Sequence, residues 1–348
     1  MVDSKVAYEQ VRPRELSDEE TASYHAFWLV VEAETHPDDP PIPVSIFSAQ
    51  KRSLPGFIDV WCFLARDTAG AVVGAGTALA LTTGENPHAL QVGVRVLPAR
   101  RRQGIGRELL RRLVELAEHE GKSLLIGETS DLAPAGAELC RRAGATPGME
   151  THVNRLLLAG LDPGQLRRWV EEGPTRAPGY ELVGYDGACS DELAEAVAQV
   201  LNVMNDAPRD ELRLDDMHFT VSQLRDWERS DEATGNEHWW LLAREVGSDQ
   251  LAGLTDVTWN AAHPETVFQG NTGVLAAHRG KALGKWLKAA MLERVLAERP
   301  GANDVRTSNA DSNEAMLGIN RQLGFEHYIA RTAWQADLEA VRVYLASG

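Results

Sequence analysis

Residues 94–106 read VRVLPARRRQGIG: an alternating apolar run, a proline, three arginines, then Gly104-Ile105-Gly106 opening an amphipathic stretch. Such a segment can hold a phosphate. The first N–H groups of a helix have no intrahelical acceptor and carry a partial positive charge. Glycine removes side-chain bulk between those groups and a ligand, and arginine adds countercharge. The cradle so read contains Val94 and Val96 on the strand, then Arg101, Arg102, Gln103, Gly104, Ile105 and Gly106.

The segment has an echo 178 positions later. Residues 272–284 read TGVLAAHRGKALG, with Thr272 and Val274 on the strand, then Arg279, Gly280, Lys281, Ala282, Leu283 and Gly284. At the same offset FLARD (63–67) returns as LLARE (241–245), and within one residue of that offset AVVGAGTALAL (71–81) parallels QLAGLTDVTWN (250–260). A period this long is no solenoid repeat. It reads as a duplicated domain, which 348 residues can hold at roughly 100–200 per domain. Neither copy supplies the G-x-x-x-x-G-K-[ST] loop of an ATP site. Leu109 stands where a dinucleotide fingerprint needs its third glycine. One Gly-x-Gly is compatible with a plain tight turn, but two copies in one frame favour the cradle.

The elements that must position these loops follow from periodicity. In the first half we expect a strand over 6–11, a helix from Ser17 to about Ala33 with Glu20 completing a capping box, and a second helix. Strands over 61–66, 71–81 and 90–96 follow, with turns at 67–70 and 84–87. Leu109, Leu113 and Leu116 give the helix over 104–120 one apolar face. A strand over 124–128, a helix to Arg142 and a strand near 152–158 complete the half. A helix over 163–173 and a Pro/Gly-rich run to 178 form the boundary. The expected domains are 1–162 and 179–348, with 163–178 as helix and linker. The second half repeats the order, with strands over 180–184, 239–245, 251–259, 266–274 and 304–308 and helices over 282–299 and 313–323. The expected fold is mixed α/β, of the α+β kind.

Composition limits the partners. There are 35 basic and 51 acidic residues, a net charge of −16, which disfavours nucleic acid and anionic membranes and suits a cationic small molecule. Three separated cysteines and ten histidines without metal spacing argue against a disulfide framework and against a metal site. No apolar run is long enough to span a bilayer, and the first residues lack a signal-peptide pattern, so the expected location is cytoplasmic. The oligomeric expectation is a monomer or homodimer.

Arg101-x-x-Gly104-x-Gly106 after Val94-x-Val96-x-Pro98 resembles the acetyl-coenzyme-A signature of the GNAT superfamily of N-acetyltransferases. In the second copy Arg279 and Gly284 fit and Ala282 replaces the first glycine, while residues 307–325 resemble the family's later strand and helix, ending in Gly324-Phe325. Such a pair of copies is similar to tandem GNAT proteins such as mycothiol synthase and some antibiotic-pathway acetyltransferases. The resemblance implies two GNAT-like domains, each a mixed, mostly antiparallel sheet flanked by helices. It also implies direct acetyl transfer from acetyl-CoA to an amine, with no metal. An oxyanion donor would then come from backbone N–H near Val96 or Val274.

The family's acid is a tyrosine on the late helix; here Asn320 or Cys140 takes its place. Glu128 and Asp256, with Asp311 in a comparable region, are the candidate bases. Tyr328 lies near enough in sequence to substitute for the tyrosine, or to pack on the sheet. Asn313 and Asn320 suit the amides of pantetheine, while Asn313 also suits a helix cap. An acidic loop over 205–218 could attract a cationic amine. The expected function is an acetyl-CoA-dependent N-acetyltransferase acting on a small-molecule amine, for which one catalytic domain suffices, the second being favoured by its intact late segment. The rival readings are a non-catalytic acyl-CoA-binding or scaffolding protein and a protein or peptide N-acetyltransferase.

Overall fold

In a computed structural model, which describes residues 6–248 and 250–347, the expected alternation becomes twelve strands and ten α-helices among the described residues. The chain runs through β1 (Ala7–Val11), α1 (Asp18–Thr35), α2 (Val44–Arg52), β2 (Ile58–Arg66), β3 (Val72–Leu81) and β4 (Ala89–Val96). Next come α3 (Ile105–His119), β5 (Leu124–Ser130), α4 (Pro134–Arg142), β6 (Thr146–Leu157) and α5 (Pro163–Arg176). Then follow β7 (Tyr180–Asp186), α6 (Asp191–Leu201), α7 (Val221–Thr234), β8 (Asn236–Glu245), β9 (Leu251–Asn260) and β10 (Thr266–Val274). The order ends with α8 (Leu283–Glu298), β11 (Asp304–Ala310), α9 (Glu314–Leu323), β12 (Glu326–Asp337) and α10 (Leu338–Ala346).

Two compact units result. The first holds the chain to Glu150, then Arg209–Asp215 and the stretch from Ala330 onward; the second holds Thr151–Pro208 and Asp216–Ile329. In the first, strands run in the order β1-β2-β3-β4-β5-β12, antiparallel except for the β4–β5 pair. In the second the order is β7-β8-β9-β10-β11-β6, antiparallel except for β10–β11. The strand near 152–158 therefore does not complete the first half's sheet. Its residues pair with β11, and β12, which the sequence reading did not anticipate, pairs with β5. Alternation marks a strand and its buried face but carries no information on its partner.

Helices cover both faces of each sheet. In the first unit α3 buries Ile105, Leu109, Leu113 and Ala117 on one face, and Tyr24, Phe27 and Phe47 of α1 and α2 cover the other. Ser17 caps α1 with Glu20 in the expected capping box, worth about 1 kcal/mol. In the second unit α8 supplies Ala289, Met291, Leu292 and Val295 to one face, and α6 supplies Val197, Val200 and Leu201 to the other. Trp239 and Trp240 are both buried, one in each of these cores. Helix α5 continues past Gly173, where the sequence reading ends it, because Gly173 is a contact residue there. A Cβ at that position would overlap the Trp286 ring of α8.

Candidate active site

Each sheet is opened beside its parallel pair. β4 pairs with β5 only from Ala89–Gln91 against Leu124–Ile126, and β10 pairs with β11 only from Thr266–Phe268 against Asp304–Arg306. Beyond those three residues β4 and β10 keep their antiparallel neighbours and, among the described residues, have no strand on the other edge. Backbone groups without a strand partner can meet an extended ligand. Helices α3 and α8 begin just after these strand ends.

The two loops share one backbone device with the glycines exchanged. Each has two left-handed residues, two positions apart: Arg102 (φ 63°) and Gly104 (φ 83°) in the first, Gly280 (φ 81°) and Ala282 (φ 60°) in the second. This places the last of them at the N-cap, with no side-chain cap in either helix. It also explains how Ala282 replaces the first signature glycine: the left-handed turn persists, at a cost of about 1 kcal/mol for a residue with a Cβ. Gly104→Ala is expected to lower the unfolding free energy by about 1 kcal/mol through backbone strain alone. A Cβ there meets nothing within 4 Å, so urea melts should shift while the fold and the spectrum stay the same.

The signature arginines act as braces. Arg101 Nε donates to the Val96 carbonyl at 3.2 Å, and its head group forms a two-point pair with Glu34 of α1. Arg279 repeats this, with Nε on the Val274 carbonyl at 2.9 Å and Nη2 on Asp206 at 2.5 Å. Both guanidinium groups are engaged within the protein. Arg102 is exposed, with its charge acting on Glu138. Gln103 bonds to Arg100 and to the Ala99 carbonyl. Lys281 donates to Tyr180 Oη at 2.5 Å and lies over that ring. Ile105 and Leu283 anchor the helix starts in the cores. Val94, Val96 and Val274 pack where a Cβ on Gly106 or Gly284 would touch them, at 3.6–3.9 Å.

One feature separates the units. The β9–β10 register runs to Gln269 opposite Val257 and resumes with Thr272 opposite Thr255, so Gly270 and Asn271 together face Asp256. This is a β-bulge. The β3–β4 register is unbroken from Gly74–Val96 to Leu79–Gln91. Asp256, read as a base, is 3% exposed and holds the bulge. Its Oδ1 accepts from Asn271 N at 2.8 Å and Nδ2 at 3.0 Å, and its Oδ2 accepts from His238 Nε2 at 3.1 Å. His238 Nδ1 donates to Asp231 at 2.8 Å. Burial alone would lower this imidazole's pKa, but hydrogen bonds to both carboxylates raise it to about 9, so it is charged at neutral pH. A Cβ at Gly270 would overlap Asp256 Oδ2. Thr272 Oγ1 meets Thr255 Oγ1 at 2.8 Å beside the bulge.

On the other face of this sheet Asn320 is buried at 1% exposure. Its Oδ1 accepts from Lys288 Nζ at 2.7 Å, and its Nδ2 donates to Asn309 Oδ1 at 2.7 Å. Lys288, entirely buried on α8, has its pKa pushed down to about 7 by desolvation. In the first unit Cys140 on α4 is half-buried, and burial lifts its thiol to about 11, which makes it a weak acid at neutral pH. Glu128 is exposed and paired with Arg331 at 3.4 Å. Asn313 caps α9 through Met316 N. Tyr328 packs on the sheet of the second unit between the guanidinium groups of Arg155 and Arg306.

The acidic loop is tied down through its backbone in the first unit. Arg213 N and the Glu211 carbonyl bond to Gln335, and Asp215 N bonds to Asn86. The expected carboxylate cluster is therefore split, with Asp206 on Arg279 in the second unit. Sequence reasoning missed His238 and Lys288. The only signal for Lys288 was a charge on the apolar face of a helix. His238 carried none, because its partners come from other elements.

No curated protein sequence matches the chain. Residues 16–144 match the acetyltransferase (GNAT) family model. Among solved structures, a tandem GNAT protein from the clavulanic acid biosynthesis pathway, determined without AcCoA, is 27% identical. The match covers 96% of this chain and 99% of that one, with a TM-score of 0.78. A GCN5-related N-acetyltransferase from Sphaerobacter thermophilus shares the fold at 15% identity, 95% and 96% coverage and a TM-score of 0.66. A putative acetyltransferase from Pyrococcus horikoshii does so at 13% identity, 95% and 89% coverage and a TM-score of 0.55. The opened sheets, the uncapped helix starts and these matches agree: the stretch 16–144 matches the GNAT acetyltransferase family model, and the chain as a whole has the fold of a tandem GNAT protein.

Proposed function

We propose that the protein transfers an acetyl group from acetyl-CoA to the amine of a small molecule, that both helix starts bind acyl-CoA, and that the chemistry occurs in the second unit. The residues present fit such a donor. In α3 the first-turn N–H groups of Ile105, Gly106 and Arg107 have no helical acceptor, and in α8 those of Leu283, Gly284 and Lys285 have none. These groups would hold the diphosphate, with Arg102 as countercharge in the first unit. The free edges of β4 and β10 would hold the amide-bearing arm. When bound, acetyl-CoA supplies a thioester carbonyl open to attack by a neutral amine.

The bulge at Gly270–Asn271 carries the assignment to the second unit. It breaks the β10 ladder beside the opened edge, and the charged His238–Asp256 pair holds it in place without strain on the strand. Asn271 N is held by Asp256, so another N–H of the bulge would serve as the oxyanion donor that acyl transfer needs. The net charge of −16 supports a cationic acceptor.

The test places a carboxylate at each helix start. Cβ atoms at Gly106 and Gly284 make only ordinary contacts, and a first-turn glutamate suits the helix dipole, so Gly106→Glu and Gly284→Glu should fold. Each is expected to remove one coenzyme A from the native mass spectrum. Gly284→Glu should abolish amine-dependent thiol release, while Gly106→Glu should leave most of it. The opposite pattern would place the chemistry in the first unit. Silence of the unaltered protein with polyamines, aminoglycosides, amino acids and peptides would favour a binding role.

A further inference from the structure

We propose that His152 is the general base of the second unit, oriented by Asp311; the inference rests on the assignment of chemistry to that unit. His152 lies on β6, in the stretch that joins the second sheet. Its Nδ1 is hydrogen-bonded to Asp311 Oδ1 just beyond the end of β11. With Nδ1–H donating to a carboxylate, Nε2 carries the lone pair, and it has no hydrogen-bond partner among the described residues. The ring is one-third exposed, so water and an amine can reach it. The His327 ring of β12 stands edge-on to it with centroids 4.6 Å apart.

Its place on the sheet links it to the opened edge. His152 is directly opposite Asn309 in the β6–β11 register, so the two side chains share a face with Cβ atoms about 5 Å apart. Asn309 lies on the part of β11 that runs past its last pair with β10, along the wedge. It also accepts the hydrogen bond from Asn320, the residue at the position of the family's tyrosine. An imidazole steered by a carboxylate thus adjoins the side-chain chain Asn309–Asn320–Lys288. The groups that face His152 are Asp311 from β11's end and His327 from β12. By alternation Arg155, Arg306 and Tyr328 project from the opposite face.

The proton balance is simple. An acceptor arrives as an ammonium ion, and His152 Nε2 takes one of its protons. The freed lone pair forms the C–N bond as the C–S bond breaks and its electron pair leaves on sulfur. A second proton lost from nitrogen ends on the thiol. The imidazolium, stabilised by Asp311, returns its proton to solvent, matching the one proton released per turnover.

Two readouts test this. In protein labelled with 15N at histidine, the neutral His152 ring should carry its proton on Nδ1, and Asp311→Ala should abolish that preference while coenzyme A still binds. In thiol-release assays with acetyl-CoA and the most active primary amine among putrescine, ethanolamine, glucosamine and lysine methyl ester, His152→Gln should lower kcat/KM by about 10²–10⁴-fold. Added imidazole should restore part of the rate to His152→Ala. His327→Gln should keep both the tautomer and the rate within about threefold, the ordinary scale of a change outside the chemistry. An Nε2–H tautomer in the unaltered protein would overturn the proposal, as would a His152→Gln rate within that same range. If His152→Gln is active while Gly284→Glu is dead, the base alone fails. If Gly284→Glu is active, or no amine in the set releases thiol, the reading beneath it fails and takes the base with it.

Discussion

Lys288→Met should make the protein more stable below pH 7, by about 2–4 kcal/mol, and should flatten its stability in alkali. Lys288 is fully buried with no carboxylate partner among the described residues, and desolvation lowers its pKa from 10.5 to about 7. That gap corresponds to about 5 kcal/mol of cost when the folded lysine is charged. Between about pH 7 and 10.5 the unfolded chain keeps a proton that the folded chain has lost, so stability rises with pH across that window. Below about 7 both states hold the proton and the full cost is present. Methionine removes the cost with a side chain of similar length. It also leaves Asn320 Oδ1 without its donor, which returns about 1–3 kcal/mol. Urea unfolding of both proteins from about pH 6 to 10 checks this: the variant's advantage should be largest at the acid end and fade toward 10.5. Equal slopes would mean that Lys288 keeps its proton in the fold across this range, as it does in the unfolded chain. If Asn320 orients groups at the wedge, the stabilised variant should also turn over more slowly.

Asp256→Ala should cost about 2–4 kcal/mol, from one lost charge-assisted hydrogen bond and one buried donor left unpaired. The substitution takes one of its two carboxylates from the His238 imidazolium, leaving Asp231, and orphans the Asn271 N–H. The pH dependence has the opposite sign to that of Lys288. The His238 pKa rises from 6.5 to about 9, so its stabilisation is fully present below 6.5 and is lost as pH rises through 9. The gap corresponds to about 3 kcal/mol, part of which Asp256→Ala should erase. Chemical denaturation at pH 6 and pH 9 measures both effects, with the variant's deficit larger at pH 6. Under the proposed assignment, amine-dependent thiol release should fall with it even where the variant stays folded, because the bulge loses its brace. An unchanged rate in folded Asp256→Ala would detach the bulge from the chemistry. Gly270→Ala offers a second route to the same end, since its Cβ would overlap the Asp256 carboxylate.

The backbone of the two loops was legible because it is set locally. A strand, a turn with left-handed residues and an uncapped helix start occupy thirteen consecutive positions in each copy, residues 94–106 and 272–284. The capping box at Ser17 and Glu20 was legible for the same reason. The sequence also suggested that Arg101 and Arg279 would face phosphate. In the fold their head groups meet Glu34 and Asp206, residues 67 and 73 positions away. Charge type was readable; partner was not.

What the amino-acid order determined by itself was the two-fold repetition, the class of fold and the two helix starts, each set by periodicity and turn chemistry within short windows. The tertiary structure alone decided which strand closes which sheet. It thereby decided that His152 would meet Asp311, 159 positions away, and that Asp256 would support a bulge. It also decided that Lys288 would lose water, the cause of its lowered pKa. Local sequence encodes backbone preference and the side that faces the core. Pairing, desolvation and the pKa values that follow depend on what distant segments bring to that side.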